Sequence, residues 1–276
     1  MPAARSKSST PAERKPTFSP TKLNTYLDCA LKYRYVYIDK IGKFYLKSKS
    51  YYSFGTTLHH VLQDFHGQGG TQSVEEMQTA LGTSWVGAGY ETTEQEQEHK
   101  ERGEEIVTAY HTAHQERMTA QVETMATEKT ITCDMGAFKL SGRVDRIDKH
   151  SDGTLEIIDY KSGRLETTPE EVAGSLAMNV YQLILKKLYP ENDVFGTIYC
   201  LRSGITASAM LEGEALAEFE RDILTLCGEM MRRDDWHEIL PEPVDSCPTC
   251  DFLPRCSRFW QAKDDFSIDD GRMSDD

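Results

Sequence analysis

From residue 18 onward, apolar residues spaced three and four apart give way to alternating or continuous apolar runs, and then return. Ser19-Pro20 pairs a capping hydroxyl with Pro at a first helical position. Leu23, Tyr26, Leu27, Ala30 and Leu31 follow at helical spacing. FGTTLHHVLQDFH, residues 54–66, predicts a second helix, and the polar residues 94–127 predict a long amphipathic one. The period changes near residue 128. KTITCD, AFKLSGRVDRIDKH and TLEIIDYKSG are β-rich, and Asp152-Gly153 between the last two signals a hairpin. Residues 169–189 are helical in pattern. VFGTIYCL and ITASAML predict two strands around a turn at Arg202-Ser203-Gly204, and residues 213–235 predict a further helix. Helices, three strands, a helix, two strands and a helix make an α/β or α+β chain on a mixed sheet. No internal repeat is visible.

Composition narrows the class. The 276 residues suffice for one large or two small domains, and 38% hydrophobic with 28% charged residues fits a soluble globular protein. No apolar run approaches the roughly 20 residues that span a bilayer. MPAARSKSSTPAERKP lacks the apolar stretch of a secretion signal, so residues 1–17 read as a disordered leader and the expected location is cytoplasmic. Residues 261–276, containing KDDFSIDDGRMSDD, read as an acidic tail.

A net charge of −14 argues against a nucleic-acid partner until its distribution is considered. Residues 1–50 hold eleven Lys and Arg against three Asp and Glu. The other 226 residues hold 20 basic and 42 acidic ones. A basic N-terminal segment therefore precedes an acidic body, which fits local phosphate contacts or a solvated helix equally well.

Candidate chemistry concentrates at IDYKSG, residues 157–162. Residues two apart on a strand share a face, so Asp159 and Lys161 point together. In GRVDRID on the preceding strand, Asp145 is expected across the hairpin from Asp159. Asp148, at odd separation from Asp145, belongs to the other face. Paired carboxylates repel unless a cation lies between them, and oxygen ligands suit Mg²⁺ or Mn²⁺. A neighbouring lysine orients a water or stabilises an anionic transition state, as metal-assisted phosphodiester hydrolysis requires. A structural Asp–Lys ion pair accounts for D-x-K alone equally well.

Of seven cysteines, three form C-x₂-C-x₅-C at Cys247, Cys250 and Cys256. Cys29 completes a set of four if the chain ends meet, suited to zinc or an iron–sulfur cluster. Cys133, Cys200 and Cys227 read as ordinary buried thiols.

GRVDRID followed by IIDYKSG resembles the active-site core of the PD-(D/E)XK nuclease superfamily, in its RecB-like exonuclease branch. FSPTKLNTYLDCALKYRYVY resembles that branch's cysteine-bearing N-terminal helix. FGTTLHHVL resembles its G-x-x-x-H helix, which places the ligand histidine on His59 rather than His60. YQLILKKLYP resembles the helix with the Gln motif, which places that residue on Gln182. Lys186 stands where the branch usually has Tyr, with Tyr181 and Tyr189 out of register. His66, His111 and His114 have no motif and read as surface residues.

The likeness spans residues 18–260 and implies one domain. A restriction-endonuclease-like core, its central mixed sheet flanked by helices, would follow an N-terminal helical region: a mainly helical part (18–127), a catalytic αβ core (128–240) and a cysteine segment (241–260). It implies a Mg²⁺- or Mn²⁺-dependent deoxyribonuclease. The metal ligands would be His59, Asp145, Asp159 and the Tyr160 carbonyl. Lys161 would position the attacking water and Gln182 would orient the site. Arg143, Arg146 and Arg164 are the expected phosphate contacts.

The cysteine spacing resembles the [4Fe–4S] staple of the AddB nuclease domain and of CRISPR-associated adaptation nucleases, which favours the cluster over zinc for Cys29, Cys247, Cys250 and Cys256. The implied substrate is DNA with single-stranded or frayed ends, in repair or recombination. The chain carries no G-x-x-x-x-G-K-[ST] motor loop, which leaves it to act alone, to join a separate helicase or a recombination or adaptation partner, or to serve a phage or mobile element. A non-catalytic DNA-end-binding or assembly subunit is the second reading.

Overall fold

The computed structural model describes residues 14–117 and 122–267. The first 13 residues of the expected leader and residues 268–276 of the expected tail lie outside them. The rest of the leader does not read as disordered. Thr17–Phe18 (β1) joins the sheet, and Lys15 pairs with Asp134.

Ser19 caps helix α1 (Pro20–Asp28) by accepting from the Lys22 N–H, as its sequence predicts. The single helix expected through Leu31 is broken at Cys29. Extended there (φ −161°), it starts a new turn, α2 (Ala30–Tyr33), which runs into a π-turn over Arg34–Ile38. Helices α3 (Ser50–Gly67), α4 (Val74–Thr83) and α5 (Thr93–Arg117) follow. The pattern of residues 54–66 marks α3. Helix α4 begins with a capping box, Ser73 with Glu76, a local S-x-x-E signal not included in the expected elements. The expected helix over 94–127 ends at Arg117, and Val122–Asp134 is strand β2. The β-rich KTITCD marks its second half, while polar, half-exposed residues give its first half little period and hide it in the sequence.

β3 (Lys139–His150) and β4 (Leu155–Lys161) form the hairpin that Asp152-Gly153 signals, with Asp152 accepting from the Thr154 N–H. Helices α6 (Pro169–Ala173) and α7 (Leu176–Leu188) divide the segment expected as one helix. Strands β5 (Val194–Cys200) and β6 (Thr206–Met210) and helix α8 (Gly213–Arg232) complete the core. Helix α9 (Leu253–Ser267) extends into the stretch expected as tail.

The sheet is mixed, in the order β1-β3-β4-β5-β6 with β2 on the free side of β3. β1 and β3 are parallel, as are β4 and β5; the other pairs are antiparallel. β2 lines one edge of β3 along almost its whole length. β1 and β4 therefore share the other edge, β1 at Lys139–Leu140 and β4 at Arg146–Lys149.

Helices cover both faces. Leu155 and Ile157 of β4 enter the core that holds α7 and α8. Ile158 and Tyr160 enter the core made with α3, α4 and α5. A strand buried on both sides shows a near-continuous apolar run, which is why IDYKSG begins as it does. A small third cluster joins α2 and the π-turn to the cysteine segment through Leu31, Tyr35 and Phe252.

Candidate active site

Three elements meet where β4 ends. The register pairing Arg146 with Ile158 brings Asp145 level with Asp159. Where the β3–β4 ladder stops, the Asp145 carboxylate accepts from the Tyr160 N–H at 2.7 Å. Helix α3 brings His59. A Cβ on Gly55 would lie 3.0 Å from the Ser162 hydroxyl, so the glycine lets the helix approach the end of β4, one turn before His59. His59 Nδ1 lies 3.2 Å from Asp145 Oδ1 and 3.3 Å from Glu128 Oε1, and its Nε2 lies 3.1 Å from the Tyr160 carbonyl. Every partner of the ring is an acceptor. Burial opposes its charge, but Asp145 and Glu128 prevail and raise its pKa to about 10. The ring is then an imidazolium donating from both nitrogens.

Glu128 is the residue that the motifs did not reveal. It lies on β2 between the pairs Thr127–Arg146 and Lys129–Val144, opposite Asp145. Its φ of +46° places it in the left-handed region, at a cost of about 1–2 kcal/mol for a side chain of this kind. Burial opposes its charge, while His59 and Arg143 (2.6 Å) outweigh burial and hold its pKa below the usual carboxylate value. No local spacing links it to Asp145; only strand pairing does.

Ligand atoms of His59, Glu128 and Asp145 all lie within 4.8 Å of one another, a donor set of one nitrogen and two carboxylates that suits a divalent cation. Asp159 is buried and stands beside them. Its carboxyl is pushed up by burial and by Asp145, against the pull of Lys161. Lys161 Nζ lies 2.6 Å from Asp159 Oδ2 as an ion pair, which raises the lysine pKa although burial opposes it.

A family model for the PD-(D/E)XK nuclease superfamily matches residues 17–257. The chain belongs to that superfamily. No curated protein matches it. Among solved structures, the crystal structure of SSO0001 shares 12% identity over 79% of this chain and 90% of that chain, at a TM-score of 0.30, too distant to add to the assignment.

The PD-(D/E)XK frame sorts the remaining expected residues. The Asp145–Asp159–Lys161 core is assembled, and His60 lines the same pocket as His59 but is exposed. Gln182 is instead buried among α7, β5 and β6. Its carbonyl accepts from the Leu211 N–H at 2.8 Å. The α7 side chain that faces the acids is Tyr181, whose ring rests on Gly142. Burial and the charges of Asp159, Asp145 and Glu128 hold its phenol above the ordinary value. Lys186 donates to the Asn192 carbonyl at the foot of α7.

The arginines are committed to carboxylates. Arg143 pairs with Glu128 and Arg164 with Glu171. Arg146 is not a phosphate contact: it is buried against Asp148 on the other face of the sheet, where it also meets His66, Tyr110 and Tyr160. His66 is likewise not a surface residue. Buried beside Arg146, it stays neutral with a pKa lowered to about 2.

Away from these acids, Cys29 from the N-terminal part of the chain and Cys247, Cys250 and Cys256 from its C-terminal part line one pocket, with Leu31, Tyr35 and Phe252 among its apolar walls. None is in a disulfide. Burial and the other three sulfurs raise the Cys256 thiol to about 11. The Lys32 N–H donates to Cys29 Sγ and the Val244 N–H to Cys247 Sγ. Cys133, Cys200 and Cys227 are buried separately.

Proposed function

We propose that this chain is a Mg²⁺- or Mn²⁺-dependent DNA nuclease of the RecB-like branch, an exonuclease acting on single-stranded or frayed ends. The observation that carries this is the convergence of His59, Glu128 and Asp145 around one point beside the Asp159–Lys161 pair. His59, Glu128 and Asp145 would hold the cation, with Asp159 and the Tyr160 carbonyl at its border. A cation held there would supply positive charge to a phosphate and would make water more acidic. Asp159 keeps the Lys161 ammonium charged and aimed. A charged ammonium cannot accept a proton, so Lys161 donates from Nζ to the water or to a phosphate oxygen and stabilises the negative charge that develops there. The Tyr181 phenol, held protonated, is a second donor facing the acids.

The four cysteines are proposed to hold a structural [4Fe–4S] cluster. Backbone N–H donors to sulfur favour thiolates. The C-x₂-C-x₅-C triplet with one distant N-terminal cysteine is what supports the cluster over zinc.

The test is cleavage of end-labelled single- and double-stranded DNA by anaerobically purified protein with Mg²⁺, Mn²⁺ or EDTA, beside Lys161→Ala. Metal-dependent cutting that falls at least a hundredfold in the variant is expected, and the product ladder reads polarity. A folded, metal-loaded wild type that cuts neither substrate would instead support the end-binding subunit.

A further inference from the structure

The pocket holding His59, about 490 Å³, continues into a second arm of about 240 Å³, and Tyr51, Ser162 and Gly163 line both. The arm is walled by Arg102 of α5 and Arg202 of the β5–β6 turn, with one acid, Glu98. Both guanidinium groups are exposed, and among the described residues neither has an ion-pair or hydrogen-bond partner. They contrast with Arg143, Arg146 and Arg164, each of which is neutralised by a carboxylate. At the junction, Tyr51 and Tyr52 in the first turn of α3 are 53% and 62% exposed, their ring centroids 4.3 Å apart. Two large rings left in solvent beside two uncommitted cations, in one groove that ends at a metal site, combine the stacking surface and the charge that a nucleic-acid strand requires.

We infer that this arm is the track for a single DNA strand: Arg102 and Arg202 take backbone phosphates away from the scissile one, and Tyr51 and Tyr52 stack unpaired bases. The inference rests on the nuclease reading and adds the strand's path to it. Bases inside a duplex are already stacked on each other and present no free face to a ring, so the tyrosines select a single strand. Two local cations also let a protein of net charge −14 hold a polyanion without a basic surface overall.

The test is fluorescence anisotropy of a short fluorescein-labelled oligothymidylate with Ca²⁺ present, over a range of salt, with Mn²⁺ titration and thermal melting as the check that each variant is folded. Arg102→Gln/Arg202→Gln is expected to weaken binding about tenfold or more. The slope of log affinity against log salt should shrink by about 1.4, about 0.7 per lost contact on a single strand. Tyr51→Leu/Tyr52→Leu is expected to weaken it about fivefold or more with the slope unchanged, and to reduce the preference over a hairpin duplex. Folded variants that match the wild type in affinity and slope, or a wild type that does not bind the strand, would overturn the track. A wild type that binds the strand but never cuts it would sink the nuclease reading alone, and the variants would still decide the track.

Discussion

His59 shows how one side chain records the field around it. Two carboxylates and a backbone carbonyl face a half-buried ring, and the ring takes a proton to match them. The same atoms are the ligands a cation needs, so metal and proton compete. With the pKa near 10, apparent Mn²⁺ affinity is expected to rise about tenfold per pH unit between pH 7 and 9, a trend that calorimetric titration would read along with proton release. The sign for stability is opposite. A histidine raised from 6.5 to about 10 contributes stability fully present below pH 6.5 and lost as pH rises through 10. Denaturation midpoints of EDTA-treated wild type should therefore fall over that window relative to those of His59→Gln. Glu128→Gln keeps the shape of the side chain and removes a charge. It should weaken Mn²⁺ binding at least tenfold while the circular dichroism spectrum is unchanged; equal affinity would remove Glu128 from the ligand set.

The site depends on elements arriving at close range. β3 is shared between β1 and β4 on one edge, and Asp145 sits where β4 has just left it. Helix α7 brings Tyr181 against bare backbone at Gly142, where a Cβ would meet the ring at 2.4 Å and 2.6 Å. A ring wedged between helix and strand cannot retreat without moving the helix. Gly142→Ala is thus expected to cost about 1–3 kcal/mol and to lower the melting temperature, while Ala at the exposed Gly136 turn would not act through such a contact. On the other face, Arg146 and Asp148 form a buried pair with His66 and Tyr110 behind them. Removing the cation strands a carboxylate that is 1% exposed. Arg146→Ala should destabilise by about 3–5 kcal/mol, so any loss of activity would track unfolding in a urea titration.

Across the whole molecule, residues 28–49 and 246–256 meet at the cysteine pocket. Ser246 donates to Asp28, and Lys49, just ahead of the helix that carries His59, pairs with Asp251. The proposed cluster would join residue 29 to residue 247 and close a loop of more than 200 residues, which in the ideal chain-entropy model is worth on the order of 5 kcal/mol. Cys250→Ser is expected to remove iron and brown colour from anaerobically purified protein and to lower its melting temperature by several degrees. A colourless, iron-free wild type with the same melting temperature as the variant would count against the cluster.

The sequence by itself determined what depends on neighbours along the chain. The Ser19 cap, the Asp152-Gly153 hairpin, the doubly buried run of β4 and the shared face of Asp159 and Lys161 all follow from spacings of a few residues, and the family's motifs follow from the same spacings. Tertiary structure alone decided what depends on pairing across distance. Glu128 became a ligand candidate through its register opposite Asp145. Arg146 shares Asp148's face by the same local strand parity, and the tertiary structure decided only that this face is closed over it by His66, Tyr110 and Tyr160. Gln182 and Tyr181, adjacent on α7, were separated because successive helix positions lie about 100° apart and only the packing of that helix on the sheet says which one faces the acids. The first half of the polar edge strand β2 is stabilised by its bonds to β3 rather than by a period of its own, so only the β-rich KTITCD of its second half announced it.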